Sequence, residues 1–310
     1  MNTRLFSKLL RIADLKTPLV LAACLLTTLI SMTLQLPKGE VHAQAGGFKP
    51  TCTLPFNSKP TPHPIDSACP PAGDAKTNGG KLQNPVKNNL CATGTPIEIS
   101  LKILENLHKA VVAAKKFTFG NDGLLSANKT RDALKSLTIK DATGKSLTLG
   151  EGNVVTLDAF VLEAKHDDVP LLNSSFKGEG VNCHDKTVLG NDIHIALVES
   201  AAQVAKFKKG DKTVECTSVT AEIIPHFRPD TWHRFDSHPK TSPAVNGLPV
   251  QGLEVRLTGQ LFFDGSHNPA GCTAPRRRSS WEIHPVYTIE VKDGSKFISF
   301  DEWAKKVARR

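Results

Sequence analysis

The chain has 310 residues, of which 22% are charged and 39% hydrophobic, and this composition is typical of a soluble globular protein. It excludes a fully disordered chain and a protein that crosses a membrane several times. The formal net charge of +9 raises the question of a nucleic-acid or anionic partner.

Residues 1–45 have the organisation of an export signal. Basic residues come first, an uncharged apolar stretch follows from Pro18 to Leu36, and Ala43-Gln44-Ala45 forms a small-x-small cleavage site. We therefore expect the mature chain to begin at Gly46. Two alternatives stay open, a lipoprotein acylated at Cys24 and an uncleaved membrane anchor. Contact with a membrane is expected only in those two cases.

Six cysteines follow the export signal, and an even number in an exported chain predicts disulfides, with free thiols as the alternative. They are Cys52, Cys69, Cys91, Cys183, Cys216 and Cys272. Residues 46–95 carry three of them in a stretch rich in Pro, Gly, Asn and Lys, with too few apolar residues for a core of its own. We predict that this stretch is an arm, tied by disulfides over a domain formed by residues 96–310.

The first periodic segment of that domain is helical. Apolar residues at three- and four-residue steps predict one helix over residues 101–116. Alternation at period two then predicts a hairpin of residues 137–140 and 146–149, followed by a long strand at 154–164. A short helix is expected in the last eleven residues.

Four more segments alternate apolar and polar residues, as half-buried antiparallel strands do. They lie at residues 193–197, 219–223, 253–263 and 283–291. Gly259, in the middle of the third of these strands, suits a strand that bends around a barrel. We predict a mainly β protein with one or two helices and a small OB-like antiparallel barrel, because closure leaves no exposed strand edge. A β-sandwich is the alternative.

Acidic residues and histidines share one face of this predicted sheet. Asp192 and His194 lie two positions apart on one strand, and Glu282 and His284 repeat the arrangement on the last. Glu222 and His226 face away from the apolar residues of the strand at 219–223. Arg256, Gln260 and Asp264 do the same on the strand at 253–263. Imidazole and carboxylate groups bind zinc and similar divalent metal ions, so these residues form a candidate metal or acid–base site. The alternative is a polar face that only binds loops and solvent.

Cys183 and Cys216 lie on either side of the strand at 193–197. A disulfide between them would close that part of the sheet, and we expect this pair rather than a cysteine ligand for a metal. Cys272 would then pair with a cysteine of the arm or stay free.

Three consecutive arginines, Arg276, Arg277 and Arg278, precede the last strand. Guanidinium groups bind phosphate, carboxylate or lipid head groups through forked hydrogen bonds, so this loop is a candidate site for a small or polymeric anionic ligand. A solvated loop is the alternative. Nucleic acid is disfavoured, because single-strand recognition needs exposed aromatic residues and the chain has one Tyr. Removal of the export signal also reduces the formal charge to +6.

Several short motifs occur together along the chain. They are Ile65-Asp66-x-x-Cys69, Lys87-Asn88-Asn89-Leu90-Cys91-Ala92, Asn182-Cys183, Asp192-Ile193-His194-Ile195, Leu257 to Asp264 with His267, and Trp281-Glu282-Ile283-His284-Pro285. In this combination the chain resembles a family of exported bacterial proteins that carry D-x-H-I and W-E-I-H-P motifs and have no assigned activity. The resemblance covers residues 65–291 and implies an exported protein with a β-rich core. It implies no catalytic residue.

The sequence supports three functions. The first is a non-enzymatic binding module for an anionic ligand in the cell envelope or outside the cell, which would use the arginine loop and the polar face. The second is a metal-dependent, phosphodiesterase-like hydrolase in which Asp192, His194, Glu282 and His284 serve as ligands or acid–base groups. The third is a structural envelope protein in which the same residues tie strands to loops.

Overall fold

A computed structural model describes residues 46–115, 119, 131–141, 143–167, 169–274 and 276–309. The predicted export signal, residues 1–45, lies outside these ranges, as does Cys24. Within the described ranges, no helix has both the length and the apolar character needed to cross a membrane.

The described chain contains more strand than helix. The strands are β1 (Ile97–Ile99), β2 (Leu137–Lys140), β3 (Ser146–Leu149), β4 (Val154–His166), β5 (Ile193–Val198), β6 (Val219–Ile223), β7 (Glu254–Phe263), β8 (Trp281–Asp293) and β9 (Lys296–Ser299). The α-helices are α1 (Pro64–Ala68), α2 (Asn78–Lys87), α3 (Leu101–Ala114), α4 (Ala201–Lys208), α5 (Ser242–Val245) and α6 (Phe300–Val307).

Five of the strands close into a barrel. β4 pairs with β5, β5 with β6, β6 with β8, β8 with β7, and β7 returns to β4. This is the strand order of an OB-like Greek-key barrel, so the predicted small barrel is confirmed and the alternative sandwich is wrong. The barrel is mixed rather than purely antiparallel. β8 runs antiparallel to β7, and this direction makes it parallel to β6, which it meets at Ala221 and Ile283.

Gly259 lies where β7 bends. The ladder between β7 and β8 shifts register on both sides of this residue. A Cβ atom at this position would collide with the Pro285 carbonyl oxygen on β8. The close approach of the two backbones therefore requires glycine, as the bend predicted from the sequence implied.

The barrel encloses the apolar face of its strands. Leu157, Ile195 and Ile283 are fully buried in one cluster, to which α3 contributes Leu104 and α6 contributes Phe300. Because side chains alternate along a strand, the acidic residues and histidines next to these apolar residues lie on the outer face.

The arm, residues 46–95, lies against that outer face. The Asn89 side chain donates to the side chain of Gln260 on β7, with 2.6 Å between nitrogen and oxygen. Asp66 of α1 accepts a hydrogen bond of 2.8 Å from His226, which follows β6. Through such contacts the arm covers polar groups of the barrel that would otherwise face solvent.

Three disulfides join the arm and the long connections of the barrel. The pairs are Cys52–Cys91, Cys69–Cys183 and Cys216–Cys272. The predicted pair of Cys183 with Cys216 is therefore wrong. Cys183 follows a turn that the arm contacts, since the amide of Asp74 donates to the carbonyl of Gly180 at 2.9 Å. Three disulfides are typical of a protein exported to an oxidising environment.

Candidate functional site

The acidic residues and histidines of β5, β6 and β8 converge around Glu222. Its carboxylate lies 3.3 Å from His194 Nε2 and 2.7 Å from His284 Nδ1. β6 lies between β5 and β8, and His194 is the direct partner of Glu222 in the β5–β6 ladder. The four residues predicted as metal ligands therefore come together through a fifth. Asp192 and His194 lie on one side of Glu222, and Glu282 and His284 on the other.

Two groups of potential metal ligands share Glu222. We call Asp192, His194 and Glu222 the open trio, and Glu222, Glu282 and His284 the closed trio. Within each trio, one ligand atom of each residue lies within 4.8 Å of the other two. The names reflect accessibility, because the His194 side chain is 25% exposed whereas the side chains of Glu282 and His284 are fully buried.

The open trio contains a buried carboxylate without a hydrogen bond. Asp192 is only 2% exposed, and neither of its carboxylate oxygens has a hydrogen-bond partner in the described part of the chain. His194 Nδ1, by contrast, donates to Asp167 at 2.8 Å, which orients the other ring nitrogen towards Glu222. A buried carboxylate is costly unless it is paired or bound to a cation, so the open trio has the chemistry of a cation site.

The closed trio already has a cation. Arg277 is buried and forms ion pairs with Glu282 and with Asp264 at the end of β7. Burial alone would lower the pKa of the Arg277 guanidinium, but Glu282 and Asp264 raise it above its usual range. We therefore regard the closed trio as a structural network that supports the open one.

The arm contributes a second cation, Lys87 at the end of α2. Its ammonium nitrogen lies 3.8 Å from Glu222 and 3.9 Å from Glu179 in the β4–β5 connection. Burial alone would lower the pKa of Lys87, but these carboxylates raise it well above its usual value. Lys87 thus stays charged beside the trios.

The His194 imidazole is surrounded by carboxylates, which favour its protonated form. Burial alone would lower the pKa of His194, but Glu222 and Asp167 raise it well above its usual value. Burial also raises the pKa of Asp192, and the nearby Glu222 adds to the effect. A metal ion in the open trio would displace such protons, which is how metal sites couple to pH.

In the metal-free protein, His284 is expected to make stability fall as the pH rises. Burial alone would lower its pKa, but Glu222 and Glu282 raise the pKa of His284 from 6.5 to about 9. Its charged form therefore stabilises the fold fully below pH 6.5, and this contribution, on the order of 3 kcal/mol, is lost as the pH rises through 9. Urea unfolding in chelator across this range measures the slope. His284→Gln should reduce the slope, and an unchanged slope would contradict the assignment.

A cleft of about 900 Å³ opens beside the open trio. It lies between the β4–β5 and β7–β8 connections, over β4, β5 and β6, where OB-like barrels bind their ligands. His194 lines it. The other charged side chains of its lining are Lys165, Arg276, Arg277, Glu163, Asp167, Glu179 and Glu215. A second cavity of about 520 Å³ lies against the arm and shares Glu179 and His267 with the cleft.

His267, like Lys87 and Asp167, belongs to the site but was not predicted as a site residue. It lies in the β7–β8 connection and its side chain is 53% exposed. Its Nδ1 lies 2.6 Å from Asp264, and this hydrogen bond raises the pKa of His267. A histidine oriented by a carboxylate can transfer protons to a bound ligand. The Asp264-x-x-His267 spacing at the end of a strand was the available signal.

The three arginines predicted to bind an anion each have a carboxylate partner. Arg276 lies 3.2 Å from Glu215, and Arg278 lies 2.7 Å from Glu199. Arg277 is buried in the ion pairs described above. An anion that used all three would have to break these pairs, so the loop retains at most Arg276 and Arg278 as accessible cations.

Comparison with known proteins adds no further information. No family model matches the sequence, and searches of curated proteins and of solved structures find no match. The resemblance to a family of exported bacterial proteins stays a prediction, and function has to be inferred from the site.

Proposed function

We propose that this protein is a metal-dependent hydrolase that acts in the cell envelope or outside the cell. Asp192, His194 and Glu222 would bind a divalent ion such as zinc. The observation that carries this proposal is the Asp192 carboxylate, which is 2% exposed and has no hydrogen bond within the described ranges. Of the three ligands, His194 lines the cleft, so a fourth position for water or substrate, as in catalytic zinc sites, would open on the His194 side.

The residues around the open trio support this function. Asp167 lies 2.8 Å from Nδ1 of His194, and His284 Nδ1 lies 2.7 Å from the Glu222 carboxylate. Two of the three ligands therefore contact a polar side chain outside the open trio, as metal ligands usually do. A divalent ion in such a site supplies water activated as a nucleophile at neutral pH. His267 would deliver a proton to the leaving group, and Lys165 and Arg276 would orient an anionic substrate such as a phosphodiester.

The test is zinc binding and hydrolysis by chelator-treated protein, using bis(p-nitrophenyl) phosphate as substrate. We expect zinc to restore hydrolysis in the wild type and in His238→Ala, a matched substitution outside the trios. His194→Ala should lose one equivalent of zinc and the hydrolysis with it. A wild type that hydrolyses nothing, or a His194→Ala variant that binds as much zinc as the wild type, would contradict the proposal.

A binding module for an anionic ligand is the second candidate. The position of the cleft on an OB-like barrel favours it. Lys165 and Arg276 line the cleft, and an anion would compete for them with Asp167 and Glu215. This function needs no metal, so polyphosphate should bind equally well in chelator, and Arg276→Ala should weaken that binding at low salt. If binding requires zinc, this candidate fails and the hydrolase is favoured.

A further inference from the structure

A second histidine cluster lies where the arm meets the barrel, and it shares no residue with the cleft. We infer that His63, Asp230 and His233 bind a further divalent metal ion of the zinc class and so fasten the arm to the barrel. The proposal does not depend on the hydrolase function, because it uses different residues and different observations.

The geometry places three ligand atoms together. One ligand atom of each residue lies within 4.8 Å of the other two. Asp230 and His233 belong to the 3₁₀ helix Asp230–Arg234, whose three residues per turn place them on one face. His63 comes from the arm, immediately before α1, and its ring centre lies 5.0 Å from that of His233. Its Nε2 lies 2.7 Å from the backbone carbonyl oxygen of Arg228, so Nδ1 is the nitrogen that would bind the ion.

The second observation is the state of the His233 ring. His233 is only 8% exposed, and neither ring nitrogen has a hydrogen-bond partner among the residues that the structure describes. Buried polar groups nearly always have a hydrogen-bond partner, because a buried group without one costs free energy. The neighbouring His166 ring stacks on His233 with 6.1 Å between centres and does not supply such a bond. A metal ion would bind one of these two ring nitrogens.

Asp230 connects the cluster to open space. It is exposed and lines a cavity of about 470 Å³ together with Thr61 and Pro62 of the arm, whereas neither histidine lines this cavity. The charge of Arg228 acts on His233, but its guanidinium donates to backbone carbonyl oxygens, which partly compensate that charge. Two imidazoles and one carboxylate favour zinc or a similar transition metal over magnesium or calcium.

Zinc titration of the chelator-treated full chain by calorimetry tests the inference. The wild type should bind about two equivalents, and His194→Ala and His233→Ala should each lose a different one. His233→Ala combined with His194→Ala should bind none, and magnesium should not substitute. Asp230→Asn should lower the zinc affinity of the second site at least about 10-fold. Because Asp230 is exposed, this variant should fold normally even if His233→Ala does not.

The outcomes separate the two proposals. If His233→Ala and Asp230→Asn bind as much zinc as the wild type, with the same affinities, the inference is wrong and the open trio is unaffected. If the wild type binds one equivalent that is lost in His233→Ala and kept in His194→Ala, the inference holds and the hydrolase proposal fails.

Discussion

Arg277→Met is expected to lower the free energy of unfolding by about 3–5 kcal/mol, because it leaves two buried carboxylates without their cation. Arg277 is 6% exposed, and its partners Glu282 and Asp264 are 0% and 5% exposed. In a domain of this size the change corresponds to a melting temperature about 10 °C lower. Urea and thermal unfolding in chelator measure it without a contribution from bound metal.

The neighbouring arginines are matched controls. The Arg276 side chain is 51% exposed, so methionine at this position should cost about 0–1 kcal/mol. Arg278 is 21% exposed and pairs with Glu105 and Glu199, so methionine there should cost more than at Arg276 and less than at Arg277. Glu282→Gln with Asp264→Asn should recover part of the stability lost in Arg277→Met, since no unpaired charge then remains. Equal effects at all three arginines would mean that they act as one solvated loop.

Asp192→Asn is expected to separate metal binding from stability. The substitution removes a buried charge that lies near Glu222, so the metal-free protein should gain about 1 kcal/mol of stability. It also removes a ligand, so the zinc affinity of the open trio should fall at least about 100-fold. Calorimetric titration and urea unfolding of the same preparation measure both quantities.

The sign of the stability change is the decisive result. A structural envelope protein would need Asp192 to hold strands and loops together, and its substitution would then destabilise the fold without changing zinc binding. Asp167→Asn is the companion variant, because it weakens the contact that orients His194 and leaves the three ligands in place. It also removes the ion pair between Asp167 and Lys165, which lie 3.6 Å apart. It should lower the zinc affinity of the open trio by about 10–100-fold, although the ligand Asp192 is still present.

Elements with a strong local pattern were predictable, and elements that depend on distant contacts were not. α3 and the five barrel strands follow their apolar periodicity to within a few residues. α2 was missed because it contains Pro85 and two glycines, which disfavour an isolated helix. α4 was not predicted, because its Val204 and Phe207 are two apolar residues among lysines and form a small cluster only with Leu162 of β4.

By itself, the sequence determined the strands and which side chains share a face, because alternation at period two is a local property of the backbone. That was enough to place Asp192 with His194 and Glu282 with His284. Only the tertiary structure decided that Glu222 joins these pairs and that Arg277 neutralises one of them.

The same holds for the charge and the cysteines. The formal charge of +9 suggested a basic surface, yet Arg276, Arg277 and Arg278 each contact a carboxylate brought from elsewhere in the chain. The partners of Cys183 and Cys216 likewise come from distant segments. Ion pairs and disulfides form between groups that are close in space, and closeness between residues far apart in the chain arises only when the barrel closes and the arm packs against it.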